Sequence, residues 1–306
     1  MITIYITGGL GNQIFQIACA LGLCYKTNNK LTIGKNLITP NAHQKNNKEL
    51  TVSTLKQIFP DLLIVDNLDI SEYYHYDEPL ERAFHYINIY NKLINIDNID
   101  CETLNYKNII LNGYFISEKF FEIPLKCCIE VTPKTMLYKD NTNNFNNMYF
   151  IHIRLGDYVN HFLYTIKLIN YYKCCINKIK SQDPLAKFII CTNEYSPNLI
   201  NYINEFPKNA EYIIQEQNNS ALDTLYIMKS CKGGICSNST LSWLGAYFQQ
   251  FENENENENN IKKHNKDYIF MPYPWVNFVI GFTRDNIKDV YPEWTQIYDT
   301  INNTFM

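Results

Sequence analysis

Phe150-Ile151-His152-Ile153-Arg154-Leu155-Gly156-Asp157-Tyr158-Val159 continues an apolar run that starts near Met148 and breaks into a basic residue, a glycine and an acid. β-Branched and aromatic residues in a run of this length predict a buried strand. In an open α/β sheet, ligands bind at the loops following the carboxyl ends of the strands. An arginine there offers a planar fork of donors matching two oxygens of a phosphate. Gly156 lets the backbone turn closely, and Asp157 is placed to orient the arginine or to take a proton. Taken alone, the same residues also describe a strand ending in a surface Arg–Asp pair, worth ~0–1 kcal/mol. The surrounding sequence decides between the two.

Downstream, strand and helix signals alternate. Strand 148–153 is followed by a helix over 163–180. Strand 187–191 leads to a helix with Ser196 as N-cap and Pro197 at its first position. Strand 212–215 precedes a helix over 221–231, then come strand 233–236, a helix over 241–250 capped by Asn238-Ser239-Thr240, and strand 268–271. Repeated βα units predict a doubly wound, largely parallel sheet. Upstream, Ile2–Thr7 reads as a short strand running into Gly8-Gly9-Leu10-Gly11-Asn12-Gln13. Ile14, Ile17, Ala18, Leu21 and Tyr25 then recur at helical spacing. Strand, glycine turn and helix together aim backbone N–H groups and a helix dipole at an anion. A plain tight turn with Asn12 capping the helix is the alternative.

A dinucleotide fingerprint fails on two counts. Ile14 occupies the third glycine position, and no acid appears before Glu49 to bind a ribose. No Gly-Lys-Ser/Thr follows, which excludes a P-loop. Further along, 55–60 closes a helix, while 62–65 and 109–111 read as strands. His75 and His85 sit in aromatic settings and read as packing residues. The asparagine-rich stretch 139–147 is the expected linker, dividing the chain into domains 1–145 and 146–306. The Glu/Asn repeat over 252–260 cannot bury surface and reads as a low-complexity loop.

The whole chain sets outer limits. Its 306 residues suffice for two domains, and 24 Tyr with 17 Phe supply core material. A net charge of −4 without a basic run disfavours nucleic acid as a partner. No apolar stretch approaches the ~20 residues of a membrane span. Strand signal from Ile2 leaves no room for a signal peptide, so the expectation is a soluble, cytoplasmic protein. The ten cysteines form no CxxC pair and no Cys/His zinc pattern, and predict small buried hydrophobes, with one catalytic thiol as the minor alternative.

Four stretches together resemble the α-1,2-fucosyltransferase family of glycosyltransferases. Gly8-Gly9-Leu10-Gly11-Asn12-Gln13-Ile14-Phe15-Gln16 is similar to that family's GGLGNQ-type start. Gly113-Tyr114-Phe115-Ile116-Ser117-Glu118-Lys119-Phe120-Phe121 resembles its GY-F/W-QSEKYF stretch, with Ile116 in place of Gln. His152-Ile153-Arg154-Leu155-Gly156-Asp157-Tyr158-Val159 resembles HIRRGDYV, and Asn238-Ser239-Thr240-Leu241-Ser242-Trp243-Leu244-Gly245-Ala246-Tyr247 resembles NSSFSWWGAW.

The resemblance implies a GT-B architecture, two facing Rossmann-like doubly wound domains, with the donor nucleotide on the second and the acceptor side on the first. It implies inverting, metal-independent transfer of fucose, or a related deoxysugar, from a GDP-sugar to a glycan hydroxyl, with α-1,2 linkage to galactose and no cofactor. Arg154 and Asp157 are then the expected catalytic residues, and Gly9, Gly11, Asn12, His152, Arg154, Asn193, Glu194, Asn238, Ser239, Thr240 and Ser242 the expected donor-binding set. The glycine turn, the loop after 148–153 and the start of helix 241–250 are expected to converge on one pyrophosphate. Three departures bear on donor identity: Leu155 replaces a second arginine, Thr192-Asn193-Glu194 stands where Ser-Asp-Asp is typical, and Leu244 replaces a second tryptophan. A catalytically degenerate nucleotide-sugar-binding homologue and a non-transferase nucleotide enzyme are the alternatives.

Overall fold

Ile2–Ile4 (β1) is buried along its whole length and runs through the glycine turn into helix α1, Leu10–Thr27. The computed structural model describes residues 1–40, 47–79, 82–96, 108–121, 131, 145–250, 268–278 and 283–306. The chain forms two compact units, Met1–Val131 with Asp285–Val290, and Thr132–Arg284 with Tyr291–Met306. The contact division falls at 131/132, against an expected boundary at 145/146, and the grouping of 285–290 with the first unit has no signal in the sequence. Most of the expected linker (139–144), the repeat at 252–260, and Cys101, Cys127 and Cys128 lie outside the described residues.

In the first unit, β1 and α1 are followed by β2 (Thr32–Gly34), α2 (Lys48–Ile58), β3 (Leu63–Val65), β4 (Tyr74–Asp77), α3 (Ile89–Ile96) and β5 (Ile109–Asn112). β5 pairs in parallel with both β1 and β4, and β2 pairs in parallel with β3. Parallel bridges Ile2–Leu31 and Ile6–Ile38 tie β1 to the chain on either side of β2. The spatial order is therefore β3-β2-β1-β5-β4. The chain moves outward from β1 and then returns to its other edge, so the glycine turn sits where the winding reverses.

In the second unit, β6 (Met148–Ile153), α4 (Ile169–Gln182), β7 (Lys187–Thr192), α5 (Pro197–Asn204), β8 (Glu211–Ile214), α6 (Ala221–Lys229), β9 (Gly233–Ile235), α7 (Thr240–Gln249) and β10 (Ile269–Tyr273) alternate, followed by β11 (Gln296–Asp299) and β12 (Thr304–Phe305). The sheet order is β12-β11-β10-β9-β6-β7-β8, parallel except for β12. Read from β6, the five βα strands stand in order 3-2-1-4-5, the Rossmann arrangement. The doubly wound expectation therefore holds for the second unit. All six residues of β6 are buried because helices cover both faces of a parallel sheet.

The expected helix over 163–180 starts only at Ile169. Residues 163–168 instead form a loop, held by Asn277 Nδ2 donating to Phe162 and Thr165 carbonyls (2.7 and 3.1 Å). Likewise, Asn12 does not cap α1: Gly9 is the N-cap, without a side-chain bond, and Asn12 lies in the first turn. Cys19, Cys24, Cys175, Cys191, Cys231 and Cys236 are buried. Burial pushes the Cys24 thiol up to about 12 and raises Cys191 and Cys236 as well, so these three are not poised as thiolate nucleophiles.

The approach of β9 to β6 has no slack. A Cβ at Gly234 would fall 2.1 Å from the Phe150 ring. Gly234→Ala is expected to cost about 1–3 kcal/mol through overpacking. A thermal melt checks this, and an unchanged Tm would mean that β9 can shift off the ring.

Candidate active site

β6 is the strand from which the second unit winds both ways, β7 lying on one edge and β9 on the other. Its carboxyl end is the switch point at which open α/β sheets bind ligands. Arg154 follows it directly. The guanidinium is largely sheltered, with 13% of its side chain exposed. One terminal nitrogen lies 2.9 and 3.0 Å from the two oxygens of Asp157, and the group stands 5.1 Å from the centre of the Tyr158 ring. A carboxylate and an aromatic ring thus hold the arginine in one orientation. Tyr158 is bonded in turn to the side chain of Ser239, and burial pushes its phenol pKa up. Arg154, Tyr158 and the N-cap of α7 are thereby linked.

The loop after Arg154 is braced from β7. Asn193 accepts from the Leu155 N–H (2.8 Å) and donates to the Leu155 carbonyl (3.2 Å). Gly156 has φ +63°, and a Cβ there would lie 3.0 Å from both Asn193 Nδ2 and Glu194 Oε2. Glycine satisfies both the left-handed backbone and the close approach. Glu194 thus belongs beside the arginine loop.

From the other edge, Asn238 donates to the carbonyls of Tyr164 and Trp275, both at 3.1 Å. No side chain caps α7, and its first turn carries no acid. Its dipole and leading N–H groups are therefore not offset by an acid of its own, the condition under which a helix start favours an anion.

Two of the expected donor-binding residues are interior. His152 is 1% exposed, with Nδ1 2.8 Å from Ser237 Oγ, while Tyr172 donates to its carbonyl. Ser242 is fully buried and donates to the Ser239 carbonyl (3.0 Å). These bonds tie both residues to the segment that leads into α7. Arg154, Asp157, Asn193, Glu194, Asn238, Ser239 and Thr240 are brought to one carboxyl edge.

Gly9, Gly11 and Asn12 stand in the first unit. Gly8 has φ +77°, and its carbonyl accepts from Gln13 Nε2 (2.9 Å). Gln16, fully buried, accepts from Thr7 N–H and donates to the Gly113 carbonyl, both at 3.0 Å. It thereby pins the glycine turn to the loop after β5. Glu78, absent from the expected set, accepts from the N–H groups of Tyr114 and Phe115 through Oε2 (2.7 and 3.0 Å). Burial pushes its carboxyl up to about 7, against the downward pull of these two amides. Phe115 holds φ +52°, strain that the Glu78 clamp helps to maintain. A carboxylate directly after a Tyr-His-Tyr-Asp alternation was the available signal. His85 packs with Nδ1 3.2 Å from Asp289 Oδ2, and Lys119 reaches the same carboxylate. Among the described residues, no group of three His, Cys, Asp or Glu side chains is gathered as a metal site, and no helix is long and apolar enough to cross a membrane.

An arginine fork thus stands at the switch point of a Rossmann-ordered sheet, beside the start of α7, in an α/β protein. The sequence matches glycosyl transferase family 11 over residues 70–268, more than half of the chain, and the chain belongs to that family. No curated protein sequence matches it. Among solved structures, the α-1,6-fucosyltransferase NodZ soaked with GDP-fucose is similar at 12% identity and TM-score 0.49, over 81% of this chain and 92% of that one. Arabidopsis thaliana FUT1, as a mutant in complex with GDP, is similar at 12% identity and TM-score 0.48, over 81% and 69%. POFUT1 in complex with GDP-fucose follows at 11% identity and TM-score 0.47, over 81% and 93%.

The buried histidine makes a pH prediction. Burial, then the neighbouring Arg154 charge, hold the His152 pKa down at about 3, below its ordinary value of about 6.5. The unfolded chain therefore binds this proton at a pH where the folded chain does not. This contribution to stability is complete above about 6.5 and is lost as pH falls toward 3. His152→Asn, which keeps a hydrogen-bonding group toward Ser237, is expected to flatten the acid limb of a denaturation series run at successive pH values. An unchanged limb would place the acid sensitivity elsewhere.

Proposed function

We propose that the protein transfers fucose, or a related deoxysugar, from a GDP-sugar to a glycan hydroxyl, with inversion, without a metal, and with α-1,2 linkage to galactose. The observation that carries this reading is Arg154, oriented by Asp157 and Tyr158 at the carboxyl end of β6. Membership of glycosyl transferase family 11 supports glycosyl transfer as the reaction class. Resemblance to α-1,2-fucosyltransferases supports the donor and linkage.

The chemistry asks for little beyond charge. In transfer with inversion, an acceptor hydroxyl attacks the anomeric carbon from the face opposite the diphosphate. The bond from that carbon to the diphosphate oxygen breaks, and negative charge grows on the leaving group. Arg154 and the N–H groups at the start of α7 are the donors we assign to that charge. Asn193, Glu194, Asn238, Ser239 and Thr240 are assigned to the donor. Gly9, Gly11 and Asn12 are assigned as anion-facing groups of the first unit. An oxocarbenium-like transition state needs little push from its nucleophile. The engagement of both Asp157 oxygens with Arg154 favours an arginine-orienting role for Asp157 over that of general base.

Arg154→Ala should cost ~2.7–4 kcal/mol in the transition state, about 10²–10³ in rate. Arg154→Lys should recover little, since an ammonium keeps the charge and loses the fork. Asp157→Asn should weaken GDP binding together with turnover, whereas a general base would lose turnover alone. Turnover and GDP affinity of the three variants check these outcomes, and near-normal turnover in Arg154→Ala would end the assignment.

Chelation gives an independent check. With charge neutralised by the arginine and the helix start, activity should persist in EDTA. Abolition by chelator and recovery with manganese or magnesium would point to a metal-borne diphosphate instead.

A further inference from the structure

In the first unit, the carboxyl ends of β1, β5 and β4 lie level, since Ile4 pairs with Leu111 and Leu111 with Tyr76. Glu78 leaves β4 at that edge, its N–H donating to the Asn112 carbonyl (2.8 Å). It abuts Gly113, where a Cβ would fall 2.5 Å from the Glu78 Cβ. The Gly113 carbonyl accepts from Gln16, which also holds Thr7 at the head of the glycine turn. Glu78 is thereby linked, through Gly113 and Gln16, to the turn assigned to face the donor's anion.

The two carboxylate oxygens are not equivalent. Oε2 accepts from both the Tyr114 and Phe115 N–H groups, which fills its two acceptor positions. Among the described residues, none hydrogen-bonds Oε1, and the side chain is half-buried rather than enclosed. A proton can therefore add at Oε1 without disturbing either amide bond. The loop that supplies the amides is fixed: Phe115 is fully buried and packs on Tyr76 and Phe120, with ring centres 6.4 and 5.5 Å away. Ile116 N–H donates to the Ala83 carbonyl (2.8 Å). The charged and titratable groups nearby leave the carboxyl without a cation among the described residues. Tyr76 and Asp77 share its strand, and Asp77 accepts from Asn112 Nδ2 (2.7 Å). Arg82, Cys19 and Tyr74 act, with Glu78, on the Tyr76 phenol. The loop itself brings Tyr114, Glu118 and Lys119, the last paired with Asp289. Burial prevails over the two amides, and a carboxyl pushed up to about 7 changes state near neutral pH.

We propose that Glu78 is the general base of the transfer, taking the proton of the acceptor hydroxyl on Oε1. As the hydroxyl oxygen bonds to the anomeric carbon, its O–H bond breaks and the proton passes to Oε1. The bond from that carbon to the diphosphate breaks in the same event, and its electron pair leaves with GDP. Glu78 then returns the proton to water before the next turnover. A base of this kind works best when its pKa lies near the working pH. The role is open because Asp157 commits both oxygens to Arg154. The inference rests on the glycosyl-transfer reading, and its test separates the two.

Glu78→Gln separates this role from that of a loop clamp. The amide oxygen still accepts from both N–H groups, whereas the nitrogen in place of Oε1 can take no proton. Transfer from GDP-fucose onto lactose and N-acetyllactosamine would be followed against pH for the intact wild-type chain and Glu78→Gln, alongside GDP binding and melting. Wild-type kcat/KM is expected to fall as pH drops below about 7, where Glu78 gains its proton. Glu78→Gln should lower kcat by about 10²–10⁴-fold and remove that acid limb, with GDP binding and Tm near those of the wild type. Near-normal turnover in Glu78→Gln would overturn the base and leave the function standing. A loss of turnover matched by a loss of Tm would also overturn it, since Glu78 would then act only as a clamp. Should Glu78→Gln fail to fold, the wild-type profile decides, and the absence of an acid limb near 7 overturns the base. A wild type that binds GDP but transfers to neither acceptor would overturn it as well. A wild type that binds no GDP would overturn the function itself.

Discussion

The hydrogen bonding of β6 on both edges is the constraint on which the second unit depends. A strand paired with β7 on one side and β9 on the other, and buried on both faces, has neither an exposed edge nor a polar face. Its position is then set by its neighbours, and Gly233 and Gly234 set it most tightly, since side chains there would collide with Tyr268 and Phe150. The residues at its carboxyl end inherit that fixity. Arg154 is held in one orientation by Asp157 and Tyr158.

The same logic explains why buried polar groups surround the site without belonging to it. Tyr171 donates its hydroxyl to the Cys236 or Phe270 carbonyl, both 2.8 Å away, at the end of β9 and within β10. Tyr172 reaches the carbonyl of His152, and His152 meets Ser237. These contacts join the carboxyl ends of β6 and β9 to each other and to β10. Buried polar groups left unpaired would each cost about 1–3 kcal/mol. The network therefore favours one arrangement of these ends over others, and it explains why the histidine within the apolar run of β6 can be wholly interior.

Much of the second unit was legible because a parallel sheet writes its strands as continuous apolar runs. Met148–Ile153 was bounded correctly, and Ser196-Pro197 marked the start of α5. Legibility failed where tertiary contacts override local pattern. Leu163 and Leu168 continue a helical spacing, yet Asn277, more than a hundred residues away in sequence, holds that segment as a loop. β4 went unread because Tyr74–Asp77 alternates polar and aromatic residues, and β11 and β12 because Gln296–Asp299 and Thr304–Phe305 contain no run of three apolar residues. In the site, the residue types of the arginine loop were readable. The orientation of His152 and Ser242 was not, since burial of a polar side chain depends on partners from other strands. Glu78 was missed for the same reason: its role is defined by amides of the loop after β5.

Two of the departures from the family pattern meet in space, which changes their meaning. Leu155 is 4% exposed and packs into the core cluster of the second unit, so its side chain turns inward. An arginine there could not follow it without burying a charge. The backbone of Leu155 is gripped at both N–H and carbonyl by Asn193, which stands where the resemblance leads one to expect an aspartate. An ionised aspartate is acceptor-only and could take the N–H alone, whereas the amide both accepts and donates. The apolar side chain anchors the loop from one side, and the amide locks its backbone from the other. The pair thus reads as one compensated change that trades a second cation for a fixed loop, leaving Arg154 as the guanidinium at the carboxyl end of β6 and Asn193 as part of what holds it there.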